Sequence, residues 1–503
     1  MNNIFQAFAG ATPGGANAIQ GMSLGGALDQ FADLQKALEA SNYQTDVSTL
    51  TGGGALGVQS LDTAMKTTIQ DNSQFVLFNR LAASNATNIV DEYVRQNSVG
   101  GVLGGSTNSQ MGVVRAAQGD YSREVGLVKF LMSLRQVGYV LNIGKNIIEA
   151  TSVEEQNGAL QLLTDAEYLL FHGNAAASPT QFDGIFAQID EAIAAGTMDG
   201  SNVIDMQAQP ITSVEQFSAI NQSVSNYGSW GKSTDVFLPN SVQTDLNMSL
   251  DPAFRWTPQG QNTPLLGGHV EGIRLTHGVL KTNMDTFLHY DQHPMTIPWD
   301  GQPNTLYQST AVSNAANNPA SLTGATASNA ASQFTAAMAG NYYYCVAGIA
   351  PGGAGYSQST VSAQIAVSAG QQVTLTITQS ASGTETGYAV YRGRLNGTNA
   401  PSDMRLMQVI PKTNGATTTY VDQNRFIPGT VTIPVLNMGP SADAISWRQF
   451  QPMTKIPLPF GIGGVPVISW FQFLFGYLRV TKPKHHGYIK NVLPNSASWL
   501  PFN

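Results

Sequence analysis

One long helical pattern sets the strongest limit on how this chain can fold. The stretch TSVEEQNGALQLLTDAEYLLFHGN, residues 151–174, repeats Leu and Ala at spacings of three, four and seven, which places one apolar stripe along an α-helix. Ser152 followed by Glu155 matches a capping box at the start, and Gly173 supplies a stop. About twenty residues at 1.5 Å each make a rod of about 30 Å, so we predict a strut.

The same helix carries four carboxylates, which could serve catalysis or solvation. General acid and base catalysis needs a convergent, desolvated pair, and nothing in the sequence marks one. We therefore predict that Glu154, Glu155, Asp165 and Glu167 form a solvated face, and that His172 interacts favourably with the helix C-terminus. The chain is not expected to be an enzyme.

The composition favours a protein whose surface contacts other copies of the same chain. Only 11% of the 503 residues are charged and 51 are glycine, so few charges keep copies of the chain apart. An assembling subunit fits this composition, and an extracellular or repeat-rich protein is the alternative. The net charge of -8 leaves only local, weak contact with nucleic acid. The single cysteine, Cys345, excludes an internal disulfide framework and a cysteine-rich metal site.

Targeting signals are not evident. The start MNNIFQAFAGATPGG has neither the basic nor the apolar region of a signal peptide. The most apolar stretch, residues 465–480, is interrupted by polar residues and is too short to span a bilayer. A soluble protein of a reducing cytoplasm, without cofactor or membrane contact, is expected.

Periodicity and composition divide the chain into segments. A Gly- and Ala-rich arm with one short helical pattern comes first, then two strand patterns around a polar tip, the strut, a mixed α/β part, a run of short strands, and longer strands again. The predicted segments are residues 1–85, 86–150, 151–200, 201–302, 303–430 and 431–503.

The short strands predict a β-sandwich. Val373, Leu375 and Ile377 alternate with polar residues, which is the period of a strand with one buried face. The runs YYYCVAGIAPGGAGYS and GYAVYRG resemble fibronectin type III and related immunoglobulin-like modules over about residues 325–428. The sandwich is expected to be an insertion, because longer strands resume after Pro428.

Two motifs match catalytic signatures in letters but not in context. GMSLG, residues 21–25, has the G-x-S-x-G spacing, but its flanks are not the strand and helix that a nucleophile elbow requires. GSWGKST contains Lys232 in the position of a P-loop lysine, but Asn226 stands where the first glycine is needed. Neither is expected to carry chemistry.

Two polar clusters remain as candidate sites. In HYDQH, residues His289, Asp291 and His293 would share one side of a strand, which makes a weak metal candidate beside the preferred interpretation of an exposed polar edge. The run RVTKPKHHGYIKN holds four basic residues that could meet phosphate or the acids of a neighbouring subunit, or form a solvated strand end. These are Arg479, Lys482, Lys484 and Lys490.

The order of the segments resembles that of the major capsid proteins of tailed bacteriophages. The strut ends in the pattern D.EY.LF.G and is followed by QFDGI at residues 181–185. YSREVGLVKFLM and YLRVTKPKHHGYIKNV resemble that family's returning loop strand and closing strand. The resemblance covers about residues 85–300 and 430–495. The residues it assigns to the subunit scaffold, with the strut's capping pair and stripe, are Ser152, Glu155, Leu163, Asp165, Glu167, Tyr168, Leu170, Phe171, Phe182, Asp183 and Gly184.

The resemblance implies an α+β tailed-phage capsid fold with an inserted all-β sandwich. Its parts would be an N-terminal arm, an extended β-hairpin loop, a peripheral domain with a spine helix, and an axial α/β domain. It implies pentamers and hexamers that close an icosahedral shell around double-stranded DNA in the host bacterial cytoplasm. Portal, scaffolding and decoration proteins are the further partners implied, and an outward sandwich could bind host glycans.

The sequence departs from some family members and leaves other classes open. No lysine lies between Lys66 and Lys129, so the loop tip is not expected to form an isopeptide crosslink, and no N-terminal cleavage is expected. The alternatives are an encapsulin-like nanocompartment shell that holds a cargo enzyme, a secreted adhesin or glycan-binding protein, and a glycoside hydrolase with an accessory sandwich.

Overall fold

The structure is a computed structural model of the chain. It describes residues 75–143, 149–249, 270–276, 278–288, 315–351, 356–400, 403–439, 443–460 and 465–502. All of them belong to one compact unit, Thr67–Asn503. Residues 1–74 of the predicted arm and the candidate metal residues His289, Asp291 and His293 lie outside the described residues, whereas residues 75–85 of that segment are described.

The described residues form an α+β fold. The helices are α1 Leu77–Arg80, α2 Tyr139–Ile143, α3 Ala150–His172, α4 Ile185–Ala194, α5 Glu215–Ser225 and α6 Asn240–Ser249. The strands are β1 Ala82–Asn85, β2 Val90–Ser98, β3 Asp120–Leu127, β4 Lys129–Gly138, β5 Val203–Gln209, β6 Asp235–Leu238, β7 Gly272–Leu275, β8 Gly278–Met284, β9 Ser321–Ser328, β10 Gly340–Tyr342, β11 Tyr344–Ile349, β12 Tyr356–Val361, β13 Ile365–Val367, β14 Gln371–Thr378, β15 Gly387–Gly393, β16 Met404–Pro411, β17 Thr417–Asp422, β18 Val431–Leu436, β19 Ile445–Pro457, β20 Val467–Val480 and β21 Gly487–Val492.

The predicted strut is α3, and it packs on a four-stranded sheet of order β1-β19-β20-β4. Gly158 allows the close approach, because a Cβ atom there would lie 1.8 Å from Oε1 of Gln472 on β20. The Gln472 side-chain amide also donates to the Glu155 carbonyl at 2.9 Å. Helix and sheet are thus held together by polar contacts as well as by packing.

The predicted capping box was wrong. The helix begins at Ala150, Glu149 occupies the N-cap position without a side-chain hydrogen bond, and Ser152 lies exposed inside the first turn. The Glu155 carboxylate does not cap the helix and instead pairs with Lys455 on β19. The predicted stop is confirmed, since the Gly173 N–H donates to the Leu169 carbonyl at 2.9 Å.

The two strand patterns after residue 88 form a hairpin, and the second pattern then continues into a separate sheet. β2 and β3 pair antiparallel from Val90 opposite Leu127 to Ser98 opposite Asp120. The second pattern, predicted as one returning strand, is divided at Val128, and its second half, β4, joins β20 in the sheet under α3. The hairpin therefore projects from the sheet instead of continuing it.

A six-stranded sheet of order β5-β21-β18-β6-β8-β7 forms the mixed α/β part. The predicted helix–strand–helix succession is confirmed as α5, β6 and α6. The side chains that these elements contribute to the core include Phe217, Ile220, Val236, Phe237, Val242 and Leu246, and they share one apolar cluster with Leu170 and Phe171 of α3.

The predicted short strands form two sheets, β12-β11-β15-β16 and β17-β14-β9, with a small β10-β13 pair, and side chains of both sheets share one apolar cluster. Val373, Leu375 and Ile377 are fully buried, as their alternation predicts. Strand β9 was missed, because it lies in an uncharged, low-complexity run with little apolar alternation. It is held by eight residue pairs with β14, from Ser321 opposite Thr378 to Ser328 opposite Gln371.

Within the described residues, no helix combines the length and apolarity that a membrane crossing requires.

Candidate assembly surfaces

The long helix α3 is anchored by a buried carboxylate that the sequence assigned to a solvated face. Glu167 is fully buried, and its two oxygens accept the backbone N–H groups of Leu77 at 2.7 Å and Phe78 at 2.8 Å. These are amides of the first turn of α1, which have no partner inside their own helix. The prediction for Glu167 was wrong because a segment about ninety residues earlier supplies the donors.

Asp285 faces Glu167 in the same interior. Its Oδ1 accepts the Phe287 N–H at 2.9 Å, and its Oδ2 has no donor within reach among the described residues. Burial, followed by the charge of Glu167, raises the pKa of Asp285 to about 8. Burial also raises the pKa of Glu167, but the backbone N–H bonds oppose it. We assign the proton to Asp285 and the charge to Glu167.

The other acidic residues of α3 divide into two kinds. Glu154 and Glu155 pair with Arg135 and Lys455 of the adjoining sheet and remain partly exposed. Asp165 is half-buried, and its burial raises its pKa to about 7, so its assignment to a solvated face was also wrong. Among the predicted scaffold residues, Leu170 and Phe171 are fully buried, while Leu163 and Tyr168 are half-buried.

His172, at the end of α3, is neutral rather than charged. Its Nε2 lies 3.3 Å from the Phe287 carbonyl oxygen, and burial lowers the pKa of the imidazole to about 4. An interaction of a positive imidazole with the helix C-terminus is therefore absent at neutral pH.

The turn after α3 seats the helix as the FDGI pattern suggests. The Gly184 N–H donates to the Gly173 carbonyl at 2.9 Å, and Asp183 Oδ1 accepts the Ala175 N–H at 2.8 Å. Phe182 is buried, with its ring 5.4 Å from that of Trp447 on β19. The turn thus binds the helix end to the sheet below it.

The base of the hairpin is fixed by an ion pair that sequence reasoning missed. Asp91 on β2 accepts two hydrogen bonds from Arg448 on β19, at 2.8 and 3.0 Å, and one from the Tyr477 hydroxyl at 2.6 Å. The Arg448 bonds hold the pKa of Asp91 below its usual value. No local pattern marks this pair, because its members are 357 residues apart.

The tip of the hairpin exposes a series of apolar side chains. Met111 is 96% exposed and Val113 is 92% exposed. Monomeric surfaces seldom carry such a concentration of apolar groups without a partner. The exposed apolar residues of the tip, residues 99–119, are Val99, Val102, Leu103, Met111, Val113 and Val114.

A second apolar surface lies on the sheet face opposite α3, and we call it the platform. It is formed where β4 pairs with β20, since Leu134, Met132 and Phe130 stand opposite Phe471, Phe473 and Phe475. The Phe130 and Phe475 rings meet edge to face at 4.9 Å. Met132 is 63% exposed and Phe471 is 38% exposed.

The basic run near the C-terminus is divided by the fold. Arg479 stacks over Tyr93 at 5.2 Å with Asp91 4.0 Å away, and Lys490 lies 3.5 Å from Asp205. Lys482 and Lys484 instead line an open cavity of about 470 Å³ beside the hairpin base. The described residues contain no group of three His, Cys, Asp or Glu side chains suited to a metal ion.

The described residues thus contain an extended hairpin, a long helix on a sheet and a mixed α/β part, in keeping with the α+β fold expected from the sequence, together with a β-sandwich. No family model matches the chain, and a comparison with curated proteins found no relative.

The solved structures similar to this chain include capsids and an encapsulin complex. The capsid of a native GTA particle is 8% identical with a TM-score of 0.44, over 90% of this chain and 100% of that chain. The capsid of Myoviridae phage XM1 is 7% identical with a TM-score of 0.40, over 86% and 96%. A holo-encapsulin complex from Synechococcus elongatus is 10% identical with a TM-score of 0.36, over 85% and 92%.

Proposed function

We propose that this chain is the major capsid protein of a tailed bacteriophage, which assembles into pentamers and hexamers of an icosahedral shell. The observation that carries the proposal is the presence of two separate exposed apolar surfaces on one subunit, the hairpin tip and the platform. Two different surfaces favour head-to-tail contacts, and such contacts close into rings when the rotation between copies allows it.

In this proposal, the tip of each copy lies on the platform of the next. The contact would bury side chains such as Met111 and Met132 that are exposed in the single chain. Burial of apolar area contributes about 25 cal/mol per Å², so several such side chains can hold a ring together. The Asp91–Arg448 pair holds the hairpin at a defined angle for the contact.

The finer parts of the proposal concern partners and location. The shell would assemble in the cytoplasm of the host bacterium with portal, scaffolding and decoration proteins, and would enclose double-stranded DNA. Contact with the genome would be weak and non-specific, because Arg479 and Lys490 are already occupied by carboxylates. The sandwich would be displayed outward, where many copies could bind host glycans through avidity. No catalytic role is proposed.

The test is negative-stain electron microscopy of the purified full-length protein, with a nuclease-protection assay of the particle contents. We expect closed shells or five- and six-fold rings, and protected DNA in shells from infected cells. A cargo protein in place of DNA would identify a nanocompartment instead. Wild-type protein that stays monomeric when the neighbouring viral genes are co-expressed would overturn the proposal.

Variants locate the contact. Met111→Asp combined with Val113→Asp should stop assembly while circular dichroism stays unchanged, because both side chains lie in solvent in the single chain. Val421→Asp is the matched control, since Val421 is 42% exposed on the sandwich, away from both surfaces. Normal shells from the tip variant would exclude the tip as the interface.

A further inference from the structure

The open cavity beside the hairpin base carries two exposed aromatic rings. It lies between residues 95–101 of the hairpin and the loops around residues 227–230 and 481–485, and its volume is about 470 Å³. Tyr227 is 69% exposed and Trp230 is 61% exposed, and their rings meet edge to face at 5.5 Å. The other tryptophans among the described residues are buried. The pair thus offers ring surface to a flat, apolar ligand.

Trp230 is held in this exposed position by an unusual backbone conformation. Its φ angle is 48°, a left-handed value that a bulky side chain rarely adopts. The loop is nevertheless fixed, because the Trp230 N–H donates to the Asn226 carbonyl at 3.1 Å. His485 Nε2 also lies 2.9 Å from the Ser229 carbonyl oxygen. Strained residues that the surrounding structure holds in place are concentrated at functional sites, which makes Trp230 a candidate binding residue.

The same cavity is basic, in a chain with a net charge of -8. Lys482 and Lys484 line it, and none of the described residues that line it is acidic. The Lys484 ammonium donates to the Asn97 carbonyl at 3.1 Å, which fixes one positive charge against the hairpin. Arg95 also lines the cavity, but Glu124 pairs with it at 2.7 Å, so the two lysines supply the net positive charge. A ligand for this cavity therefore combines negative charge with flat apolar groups.

We propose that this cavity binds single-stranded nucleic acid. An unpaired base stacks on Trp230 or Tyr227, and the phosphates beside it meet Lys482 and Lys484. Bases of every kind stack on aromatic rings, and basic side chains follow the backbone, so binding is expected to tolerate any sequence. A duplex is a poorer ligand, because its bases are already stacked on each other inside the helix. An acidic peptide is also poorer, because it supplies the charge without the flat bases.

Strand binding goes beyond the proposed function and does not depend on it. All the groups that it uses belong to one copy of the chain, so shell closure is not required. Met111 and Val113 of the tip are not among the described residues that line the cavity. The variant Met111→Asp, Val113→Asp should therefore bind a strand as the wild type does, whether or not it assembles. A failure of assembly and a failure of strand binding are thus measured separately.

Fluorescence anisotropy of a labelled oligothymidylate of about 12 nucleotides, titrated with the full-length protein at low salt, tests the site. We expect saturable binding, and quenching of tryptophan fluorescence as a base covers Trp230. Trp230→Ala should weaken binding about tenfold and remove the quenching, because the stacking surface is lost. Trp230→Phe keeps an aromatic ring and should retain most of the affinity. Circular dichroism of each variant checks that the fold is unchanged.

Charge reversal tests the phosphate contacts. Lys482→Glu should weaken binding at least about fivefold and reduce its salt dependence, because each phosphate contact of a single strand contributes about -0.7 to the slope of log K against log salt concentration. Lys281→Glu, at an exposed lysine of β8, makes the same change of charge away from the cavity. This matched control should bind the oligonucleotide as the wild type does.

Three results would overturn the proposal. The first is an anisotropy that does not rise at protein concentrations up to about 10⁻⁴ M, the weak limit of ordinary non-specific binding. The second is equal affinity of the wild type and Trp230→Ala for the oligonucleotide. The third is equal affinity for a duplex of the same length, or equal displacement by polyglutamate of the same total charge, since either would show that the cavity recognises charge alone.

Discussion

Two carboxyl groups meet inside this protein, where helix α3 passes the first turn of α1. Glu167 satisfies two backbone amides there, and Asp285 lies against it with a pKa raised to about 8. Like charges in a buried site are costly, so one proton is kept between them. The proton on Asp285 thus allows Glu167 to stay charged, and the charged Glu167 holds helix α3 to α1 through its hydrogen bonds with the Leu77 and Phe78 amides.

Asp285→Asn should change how stability depends on pH. The folded state holds the Asp285 proton up to about pH 8, whereas the unfolded chain releases it near the ordinary pKa of 3.8. At this site the folded state thus binds more protons across the interval, so the contribution of Asp285 to stability should fall as pH rises through it. Urea midpoints measured across the interval should show a smaller fall in the variant.

A residual slope is expected in Asp285→Asn, because Asp165, with a pKa raised to about 7, contributes the same sign. Glu215→Gln, at an exposed carboxylate, is the control and should keep the wild-type slope. An unchanged slope in Asp285→Asn would show that Glu167 and Asp285 do not share the proton as described.

Gly173→Ala should destabilise the turn that binds the C-terminal end of α3 to the sheet. A Cβ atom there would lie 2.2 Å from the Phe182 carbonyl oxygen and 2.6 Å from that of Leu169, both backbone atoms that cannot turn aside. We expect a loss of about 2 to 4 kcal/mol in the free energy of unfolding, measured by urea denaturation. Gly200→Ala has nothing within 4 Å and should cost little, so equal losses in the two variants would exclude a steric clash at Gly173 as the cause.

At the scale of elements, the hairpin depends on one anchor. Asp91→Asn removes the charge that holds Arg448, while β2 and β3 keep their mutual pairing. Amide hydrogen exchange should therefore speed up at the hairpin base and not in the sandwich. Glu92→Gln is the matched control, because the Glu92–Arg123 pair is exposed and contributes little. Equal hydrogen-exchange rates at the hairpin base in both variants would show that the Asp91–Arg448 pair does not anchor the hairpin.

Local patterns predicted the elements well where one face of an element decides its burial. The alternation of Val373, Leu375 and Ile377 identified β14, and the leucine periodicity identified α3. Strand β9 escaped prediction because its register comes from β14 and not from its own side chains. The capping box failed because the helix begins at Ala150, which places Ser152 inside the first turn, and Glu155 pairs with Lys455 from a strand far along the chain.

At the scale of the whole molecule, the last residues bind the sandwich to the rest of the subunit. Asn495 donates its N–H to Asp245 of α6 at 2.8 Å, and the Trp499 indole then donates to the Asp403 carbonyl of the sandwich at 3.0 Å. Arg405 lies over the Trp499 ring at 5.3 Å. The sandwich is therefore held to the rest of the subunit by these contacts as well as by the two chain segments that enter and leave it.

Trp499→Ala should loosen the sandwich. Trp499 is 3% exposed, and its truncation should cost about 3 to 5 kcal/mol through the cavity it leaves. Hydrogen exchange should rise in β15 and β16 while β18 keeps its protection. Trp230→Ala, at a tryptophan that is 61% exposed, should leave exchange in the sandwich unchanged. A sandwich with wild-type protection in Trp499→Ala would show that the C-terminal contacts do not hold it.

Side-chain spacing within a few residues was enough to predict the long helix, the period of the short strands and the succession α5, β6 and α6. The burial of Glu167, the contact of Asp91 with Arg448, and the pairing of Arg479 and Lys490 emerged only from the folded chain, as did the cavity that Lys482 and Lys484 line. Burial and charge pairing depend on partners that can lie hundreds of residues away, and local spacing carries no record of them.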